Sequence, residues 1–319
     1  MRSINSYALF FLILLSCSTL QAFPDKPLRL VIGSVPGGGN DLVGRLLAHK
    51  LFENLGQQVV VDNRGGANGM IGMEAVAKSV PDGYTLYMGT AGHLSVNQAL
   101  YAKMPFNVQR DFIALTQPVA LPFLVYLHPS IAVKNLKDLV NYAQSNPGKM
   151  TWSSSGNGGL PHLTGALLNL TANINTQRIP YKGSGPAFND LIAGRVNYCI
   201  EAVSIGLQQV KAGKLLALAT SGAKRLSILP EVMTLNETYP GLIVLNWYGI
   251  MLPAGVSKDR VNRLYSEIAK ILAQTETVDK LTSYGFDTVQ STPEEFSQFR
   301  LKEEKRWAKV IHQAHIQAD

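Results

Sequence analysis

The first third of the chain alternates between short apolar runs and segments with helical periodicity. The runs LRLVIGS, QQVVVDNR and YTLYMGT predict three strands, because each is short, apolar and bounded by glycine, proline or polar residues. The segment between the first two strands predicts a helix that ends near Gly56. One face of that helix is marked by four leucines: Leu42, Leu46, Leu47 and Leu51. Such alternation predicts a largely parallel sheet with helices on both faces.

The same alternation continues to the end of the chain. The runs KMTWSSS, QRIPY, RVNYCIE and LLALATSG predict further strands. Asn135, with Asp138 three residues on, is a predicted N-cap, and Thr292 with Pro293 and Glu295 predicts a capping box. The last helix also carries a stripe that predicts core packing rather than a binding site: Phe296, Phe299, Trp307 and Val310.

The N-terminal residues predict export. The run YALFFLILLSCSTLQA is an apolar stretch that ends in small residues, as in a secretory signal peptide. Cleavage after Ala22 would leave a chain that begins at Phe23, and lipoprotein processing at Cys17 is the alternative. No later segment has the roughly 18 uninterrupted apolar residues that a membrane-spanning helix needs. We therefore expect an exported protein without a transmembrane segment.

Length, composition and charge describe an ordinary globular protein. The chain has 319 residues, more than one hydrophobic core usually serves, and no Gly/Ser-rich linker, which predicts two domains joined by strands. The net charge is +7, but the basic residues are scattered, and Glu303 and Glu304 interrupt the one dense run, KEEKR. Nucleic acid is therefore not an expected partner. Cys199, in the apolar run VNYCIE, is expected to be a buried strand residue.

The stretch PGGGND, between the first strand and the first helix, is a candidate anion site. Gly37 and Gly39 match the first two glycines of the dinucleotide fingerprint, and Asp62 imitates its ribose-binding acid. The third glycine is missing, because Leu42 stands there, and no Lys-Ser/Thr follows as in a Walker A loop. What remains is the chemistry of a helix start, whose unpaired N–H groups and dipole favour an anion.

The residues around these glycines have structural interpretations as well. Pro36 precedes three glycines that let the backbone turn tightly and approach a ligand. Asn40 or Asp41 is expected to cap the helix, so Asp41 is interpreted as a structural cap rather than a catalytic acid.

Two loops in the second half of the chain repeat this chemistry. The segment WSSSGNGGLPHL places Ser154, Ser155 and Asn157 between a strand and a helix start. The segment YKGSGPA places Tyr181 and Ser184 before the next helix. Hydroxyls, a carboxamide and loop amides are neutral donors suited to a carboxylate, although an ordinary turn is the alternative interpretation of the first loop.

The sequence lacks the common motifs of catalytic and metal-binding sites. It contains no G-x-S-x-G elbow, no H-E-x-x-H motif and no clustered Cys/His set. Of the six dispersed histidines, only His162 adjoins a candidate loop, where it is expected to hold the loop by a hydrogen bond rather than act as a general base. The strongest chemical theme is hydrogen-bond donation from two loops, which indicates binding.

These motifs together resemble the Bug family, the periplasmic solute receptors of tripartite tricarboxylate transporters. The likeness runs in order through VPGGGNDLVGRLLAHKL, NPGKMTWSSSGNGGLPHL, IPYKGSGPAFNDLIAGRV and WYGIMLPAG, over essentially the whole mature chain. The resemblance implies a two-lobed, type II-like periplasmic binding protein in which each lobe is a mostly parallel sheet flanked by helices. It implies a signal peptide at 1–22, a discontinuous lobe 1 at 23–123 plus 241–319, and lobe 2 at 124–240.

The resemblance also implies a function. Such a protein is a monomeric, non-enzymatic receptor without cofactor or metal, which binds a small carboxylate between its lobes and delivers it to membrane permease subunits. The loops at 36–41 and 153–158 would grip the carboxylate. The full set of expected ligand-binding residues is Pro36, Gly37, Gly38, Gly39, Asn40, Asp41, Thr90, Ala91, Ser154, Ser155, Gly156, Asn157, His162, Tyr181, Ser184 and Glu201.

Two departures from the family pattern bear on the ligand. The family's aromatic-rich PFPPGG segment is replaced by IGSVPGG, and Glu201 stands where many members carry Asp. An acid at that position can pair with the ammonium group of an amino acid, so an amino-acid ligand stays open. Two alternatives to a transport receptor remain, an exported enzyme that uses Asp41, His162 or Glu201, and a ligand sensor for a signalling partner.

Overall fold

A computed structural model describes residues 23–155, 157–181 and 183–317. The predicted signal peptide, with Cys17 and Ala22, lies outside these ranges. Within them, ten strands form one sheet. In chain order they are β1 (Leu28–Ile32), β2 (Val59–Asn63), β3 (Thr85–Thr90), β4 (Phe112–Leu127), β5 (Thr151–Ser155), β6 (Gln177–Tyr181), β7 (Tyr198–Ala202), β8 (Leu216–Thr220), β9 (Leu245–Pro253) and β10 (Asp287–Thr288).

Helices connect and flank these strands. In chain order the α-helices are α1 (Gly39–Leu55), α2 (Met70–Ala77), α3 (Asn97–Leu100), α4 (Val108–Asp111), α5 (Leu136–Ser145), α6 (Leu160–Ala172), α7 (Ser184–Ile192), α8 (Val203–Lys211), α9 (Leu235–Thr238), α10 (Lys258–Leu272), α11 (Thr275–Ser283) and α12 (Pro293–Gln313). A short 3₁₀ helix at Ala67–Gly69 precedes α2, and a π-helix at Gly92–Val96 follows β3. In the ranges described, no helix is long and apolar enough to cross a membrane.

The long strand β4 joins two halves of the sheet. Over Phe112–Pro122 it pairs antiparallel with β9, and over Phe123–Leu127 it pairs antiparallel with β7 and, in part, with β8. We call β1, β2, β3, β9, β10 and the start of β4 the first half, and the end of β4 with β5 to β8 the second half. The strands β1, β2 and β3 pair in parallel, as do β5, β6 and β7, as the alternating pattern predicts. The antiparallel pairs all involve β4 or β9: β4 pairs with β7, β8, β9 and β10, and β9 also pairs with β3.

The buried face of α1 differs slightly from the predicted one. Val43, Leu47 and Leu51 are at most 2% exposed and pack in the core of the first half, whereas Leu42 is 38% exposed. Each residue turns an α-helix by about 100°, so Leu42 lies off the ridge that the i, i+4, i+8 positions form. The prediction that Leu42 belongs to the buried face is therefore wrong.

Other local predictions are confirmed by side-chain contacts. Asn135 caps α5 by accepting a hydrogen bond from the Asp138 amide at 2.9 Å. Thr292 and Glu295 form the predicted capping box at the start of α12. Cys199 is fully buried in β7, and burial raises the pKa of its thiol well above the ordinary value.

Candidate functional site

A polar cavity of about 420 Å³ is lined by residues from both halves of the sheet. From the first half come Asn68 and Thr90, together with Gly92 at the start of the π-helix. From the second half come Asn157 in the loop after β5, Ser184 at the first residue of α7 and Glu201 near the end of β7. Ligands of α/β folds bind at this edge of a sheet, so this cavity is the candidate site.

Three helices of the second half begin at this cavity. Gly159 is the N-cap of α6, Gly183 of α7 and Ala202 of α8, and all three residues line the cavity. None of these N-caps has a side chain that accepts a hydrogen bond from the first turn. Because helix starts carry unpaired N–H groups and the positive end of the dipole, their convergence makes this wall suited to an anion.

Four of the residues predicted from the sequence line this cavity: Thr90, Asn157, Ser184 and Glu201. Glu201, in β7, is only 2% exposed, so this acidic residue of the cavity lining is shielded from bulk water.

Several other predicted residues hold the surrounding loops. Nδ1 of His162 accepts a hydrogen bond from the Gly158 amide at 3.0 Å, which is the loop-holding contact that the sequence predicts. Arg178, which the sequence analysis did not single out, donates from Nε to Ser154 Oγ at 3.2 Å and from Nη1 to Asn157 Oδ1 at 3.1 Å. These contacts fix the end of β5 and the following loop against β6.

Tyr181 and Ala91 lie away from the cavity lining. The hydroxyl of Tyr181 donates to Asp190 at 2.7 Å, and burial together with this carboxylate raises the pKa of Tyr181 to about 12. Ala91 is fully buried between β3 and the π-helix. For Gly156 and the side chain of Ser155, the prediction lies outside what the structure describes.

The glycine-rich start of α1 opens into a different cavity. Gly37, Gly38 and Gly39 line a space of about 810 Å³, and α8 forms another wall of it. Pro36 is exposed and lines neither cavity. The first turn of α8 separates the two spaces, because Ala202 faces the smaller one and neighbouring Val203 the larger one.

The sequence predicts that Asn40 or Asp41 caps α1, but neither residue does. The N-cap is Gly38, and both polar side chains lie inside the first turn, at most 5% exposed. Asp41 accepts hydrogen bonds from the Gly37 amide at 2.9 Å, from Arg45 Nε at 3.0 Å and from Asn63 Nδ2 at 2.9 Å.

These contacts decide the charge of Asp41. Burial raises its pKa, but the hydrogen bonds from Arg45, Gly37 and Asn63 outweigh burial and hold the pKa below its usual range. Asp41 is therefore an ionised carboxylate that braces the loop before α1. This agrees with the structural rather than catalytic interpretation, although the contact differs from the expected cap.

The side chain of Asp62 is likewise engaged in contacts within the protein. It accepts from Arg29 Nε at 2.9 Å and from Arg64 Nε at 3.0 Å, so the acid that imitates a ribose ligand is an ion-pair partner in this structure. No cluster of three or more metal-ligating side chains occurs among the described residues.

The lining residues that the sequence analysis did not predict include four from the first half of the sheet or from the long strand β4: Asn68, Gly92, Phe123 and Asn246. Asn68 carried one usable signal in the sequence, since it stands between Ala67 and Gly69 just before an apolar helix. In the structure it adopts a left-handed backbone conformation, with φ 48° and ψ 45°. Asparagine is among the few non-glycine residues that adopt this conformation readily. Gly92, Phe123 and Asn246 carried no local pattern, because the sheet topology alone brings them to the cavity.

Comparison with known proteins supports one family. Residues 43–316 match the family model described as "Tripartite tricarboxylate transporter family receptor". A UPF0065 protein from the tcbD-tcbE intergenic region of Pseudomonas sp. strain P51 is 36% identical over 302 residues, covering 94% of this chain and 90% of that protein. Protein BugT of Bordetella pertussis is 32% identical over 295 residues, covering 92% and 90%.

Solved structures agree with the sequence comparison. The R. palustris protein Rpa4515, solved with adipate, superposes with a TM-score of 0.83 at 30% identity, covering 93% of this chain and 100% of the other. The two-lobed periplasmic binding fold that the sequence predicts is thus confirmed. On this evidence, the chain belongs to the receptor family of the tripartite tricarboxylate transporters, the family that includes the Bug proteins.

Proposed function

We propose that this receptor binds a small carboxylate in the 420 Å³ cavity and delivers it to the permease subunits of a tripartite tricarboxylate transporter. The observation that carries the proposal is the convergence of the α6, α7 and α8 starts on one cavity, without side-chain caps. A carboxylate placed there accepts hydrogen bonds from backbone amides and is stabilised by three helix dipoles. The adipate bound to Rpa4515 supports the same ligand class.

The lobes and their movement are part of this proposal. Residues 23–123 with 241–319 form one lobe and residues 124–240 the other, a division supported by the change of β4 partners between Pro122 and Phe123. Closure would add contacts from Thr90 of the first lobe to a ligand already held by the second lobe. A ligand that contacts both lobes shifts the equilibrium toward the closed state. The protein works as a periplasmic monomer without enzymatic activity.

A ligand screen by thermal shift tests this function. A chain beginning at Phe23 is mixed with mono-, di- and tricarboxylates, aromatic acids and acidic amino acids, and separately with nicotinamide nucleotides. At a hundredfold excess over Kd, one class of acid is expected to stabilise the native state by about 2.7 kcal/mol and raise the melting temperature by several degrees. A rise with nucleotides and none with any acid would contradict the proposal.

Two matched glycine variants locate the site. A Cβ added at Gly183 or at Gly185 meets no atom within 4 Å, and both residues lie at the start of α7. Only Gly183 lines the cavity, so Gly183→Leu should block the ligand and abolish the thermal shift, whereas Gly185→Leu should retain it. Equal behaviour of the two variants would place the ligand elsewhere.

A further inference from the structure

The larger cavity lies between the two proposed lobes and takes one wall from each. The start of α1 and the end of α11 belong to the lobe formed by residues 23–123 and 241–319, and we call them the first wall. The helix α8 and Ile228 belong to residues 124–240, and we call them the second wall. Closure of the lobes therefore brings α8 toward α1 and α11 and reduces the space of about 810 Å³ between them.

The two walls carry opposite charges. Asp279 of α11 lines the first wall, and Lys211, the last residue of α8, lines the second. Both side chains are exposed, and neither forms an ion pair with another residue in the part of the chain that the structure describes. The neighbouring Lys280 lies over the ring of Tyr284, with Nζ 5.1 Å from the ring centroid, and does not line this cavity. Asp279 and Lys211 are thus complementary charges on opposite sides of one space.

Apolar side chains also line both walls. Leu42 of the first wall is 38% exposed, and Ile228 of the second wall is 46% exposed. Leu207 of α8 lines the cavity beside them. Single exposed apolar side chains are ordinary, but here they stand on both walls of the same cavity. Burial of these side chains between the walls removes apolar surface from water and so favours the closed arrangement.

The glycine-rich loop before α1 leaves room for the second wall to approach. A Cβ added at Gly37 or at Gly38 meets no atom within 4 Å, so both glycines border open space in this structure. Gly37 also has a φ of 87°, a conformation that favours glycine. The backbone of this loop is therefore accessible to side chains of α8.

We infer that the larger cavity is a closing interface between the lobes rather than a second ligand site, and that Lys211 and Asp279 form an ion pair across it when the lobes close. The ion pair and the apolar side chains beside it stabilise the closed state whether or not a ligand is present. A ligand that prefers the closed state then binds more tightly, because less of its binding free energy is used to close the protein. The inference rests on the lobe movement of the proposed function and adds a cavity to it.

Distances between spin labels on the two lobes test the inference without a ligand. Gln58→Cys and Lys149→Cys place the labels at exposed positions outside both cavity linings, and the native Cys199 is fully buried. Pulsed electron paramagnetic resonance should resolve a longer, open distance and a shorter, closed distance. The closed population should fall as the salt concentration rises from about 0.02 M to about 1 M, because salt screens exposed charges.

Charge reversal connects this equilibrium to the two residues. Lys211→Glu and Asp279→Lys each put like charges on both walls, and each should lower the ratio of closed to open molecules about fivefold at low salt. The double variant with both substitutions restores opposite charges and should return the ratio to within about twofold of the wild type. Lys214→Glu is the matched control, because Lys214 is also exposed but lines neither cavity, and it should leave the ratio unchanged.

The outcomes separate this inference from the proposed function. Single reversals that behave like Lys214→Glu, a double variant no better than the singles, or a single wild-type distance that salt does not change would each overturn the inference while the proposed function stands. Loss of the acid-induced thermal shift in Lys211→Glu and in the double variant, with unchanged distances, would place the acid in this cavity and also overturn the inference. If the reversals shift the distances as expected but no acid of the screen stabilises the protein, the proposed function fails and the closing interface stands.

Discussion

Asp41 brings three hydrogen-bond donors together at the start of α1. Its two oxygens accept from a backbone amide, a guanidinium and a carboxamide, and the side chain is nearly buried. A buried carboxylate with all these partners is stabilising, and removing its charge leaves donors without an acceptor. The residue thus fixes the glycine-rich loop that opens into the larger cavity.

We predict that Asp41→Asn destabilises the protein by about 1–3 kcal/mol at pH 7, because the carboxamide presents one acceptor oxygen where the carboxylate presented two. Urea unfolding of the variant and the wild type measures the difference in the free energy of unfolding. Asp259→Asn is the control, since Asp259 lies exposed in the first turn of α10 and should change stability by about 0.5 kcal/mol or less. A comparable loss for both variants would contradict the prediction.

The same difference should depend on pH in one direction. Because the pKa of Asp41 is lower in the folded state than its usual value, its stabilisation is complete above the unfolded pKa of about 3.9 and is lost as the pH falls through the folded pKa. The gap between wild type and Asp41→Asn should therefore be constant from pH 7 to about 5 and shrink below about pH 4. A stability difference that widened on acidification would contradict this prediction, because it would mean that the pKa of Asp41 is raised in the folded state.

At the scale of elements, the helices of this protein begin in two ways. α4, α5, α9 and α12 have side-chain caps, at Asn107, Asn135, Thr234 and Thr292. α6, α7 and α8 begin at small residues without side-chain caps, and their starts line the cavity. A side-chain cap binds one or two of the free amides of the first turn, whereas an uncapped start leaves all of them for a ligand or for water.

We predict that Thr292→Ala costs about 1 kcal/mol of stability, since it removes the side-chain acceptor of the Glu295 amide and half of the capping box. Thr292→Ser retains the hydroxyl and should lie within about 0.3 kcal/mol of the wild type. Equilibrium urea unfolding distinguishes the two. If serine were as damaging as alanine, the loss would come from methyl packing rather than from the cap.

At the scale of the whole molecule, β4 makes each half of the sheet dependent on the other. Its 16 residues are paired with β9 in the first half and with β7 and β8 in the second. Leu115 in its first part and Leu124, Tyr126 and Leu127 in its second are fully buried. Neither half can lose β4 without exposing core in the other.

We predict that the ligand-free protein unfolds in one cooperative transition despite its two lobes. Differential scanning calorimetry should give a ratio of van't Hoff to calorimetric enthalpy close to one, as for a two-state unit. Two resolved transitions, or a protease-resistant fragment that covers one lobe alone, would show that the halves unfold independently.

The local features of this protein could be predicted from its sequence. The strand and helix alternation, the caps at Asn135 and Thr292 and the burial of Cys199 depend on residues close together in the chain, so their patterns are visible there. The loop that carries Asn157 and the helix start at Ser184 could be predicted for the same reason, because each lies between a strand and the helix that follows it.

Only the tertiary structure decided which of these features meet. It separated the glycines of PGGGND from the Ser/Gly/Asn loop by the first turn of α8, although their chemistry is alike. It also brought Asn68 and Gly92 to the wall opposite Glu201, residues far apart in the chain with no shared motif. Helix starts, caps and periodicity are set by neighbouring residues, whereas a cavity wall is set by long-range strand pairing, here by β4 and the strands it joins.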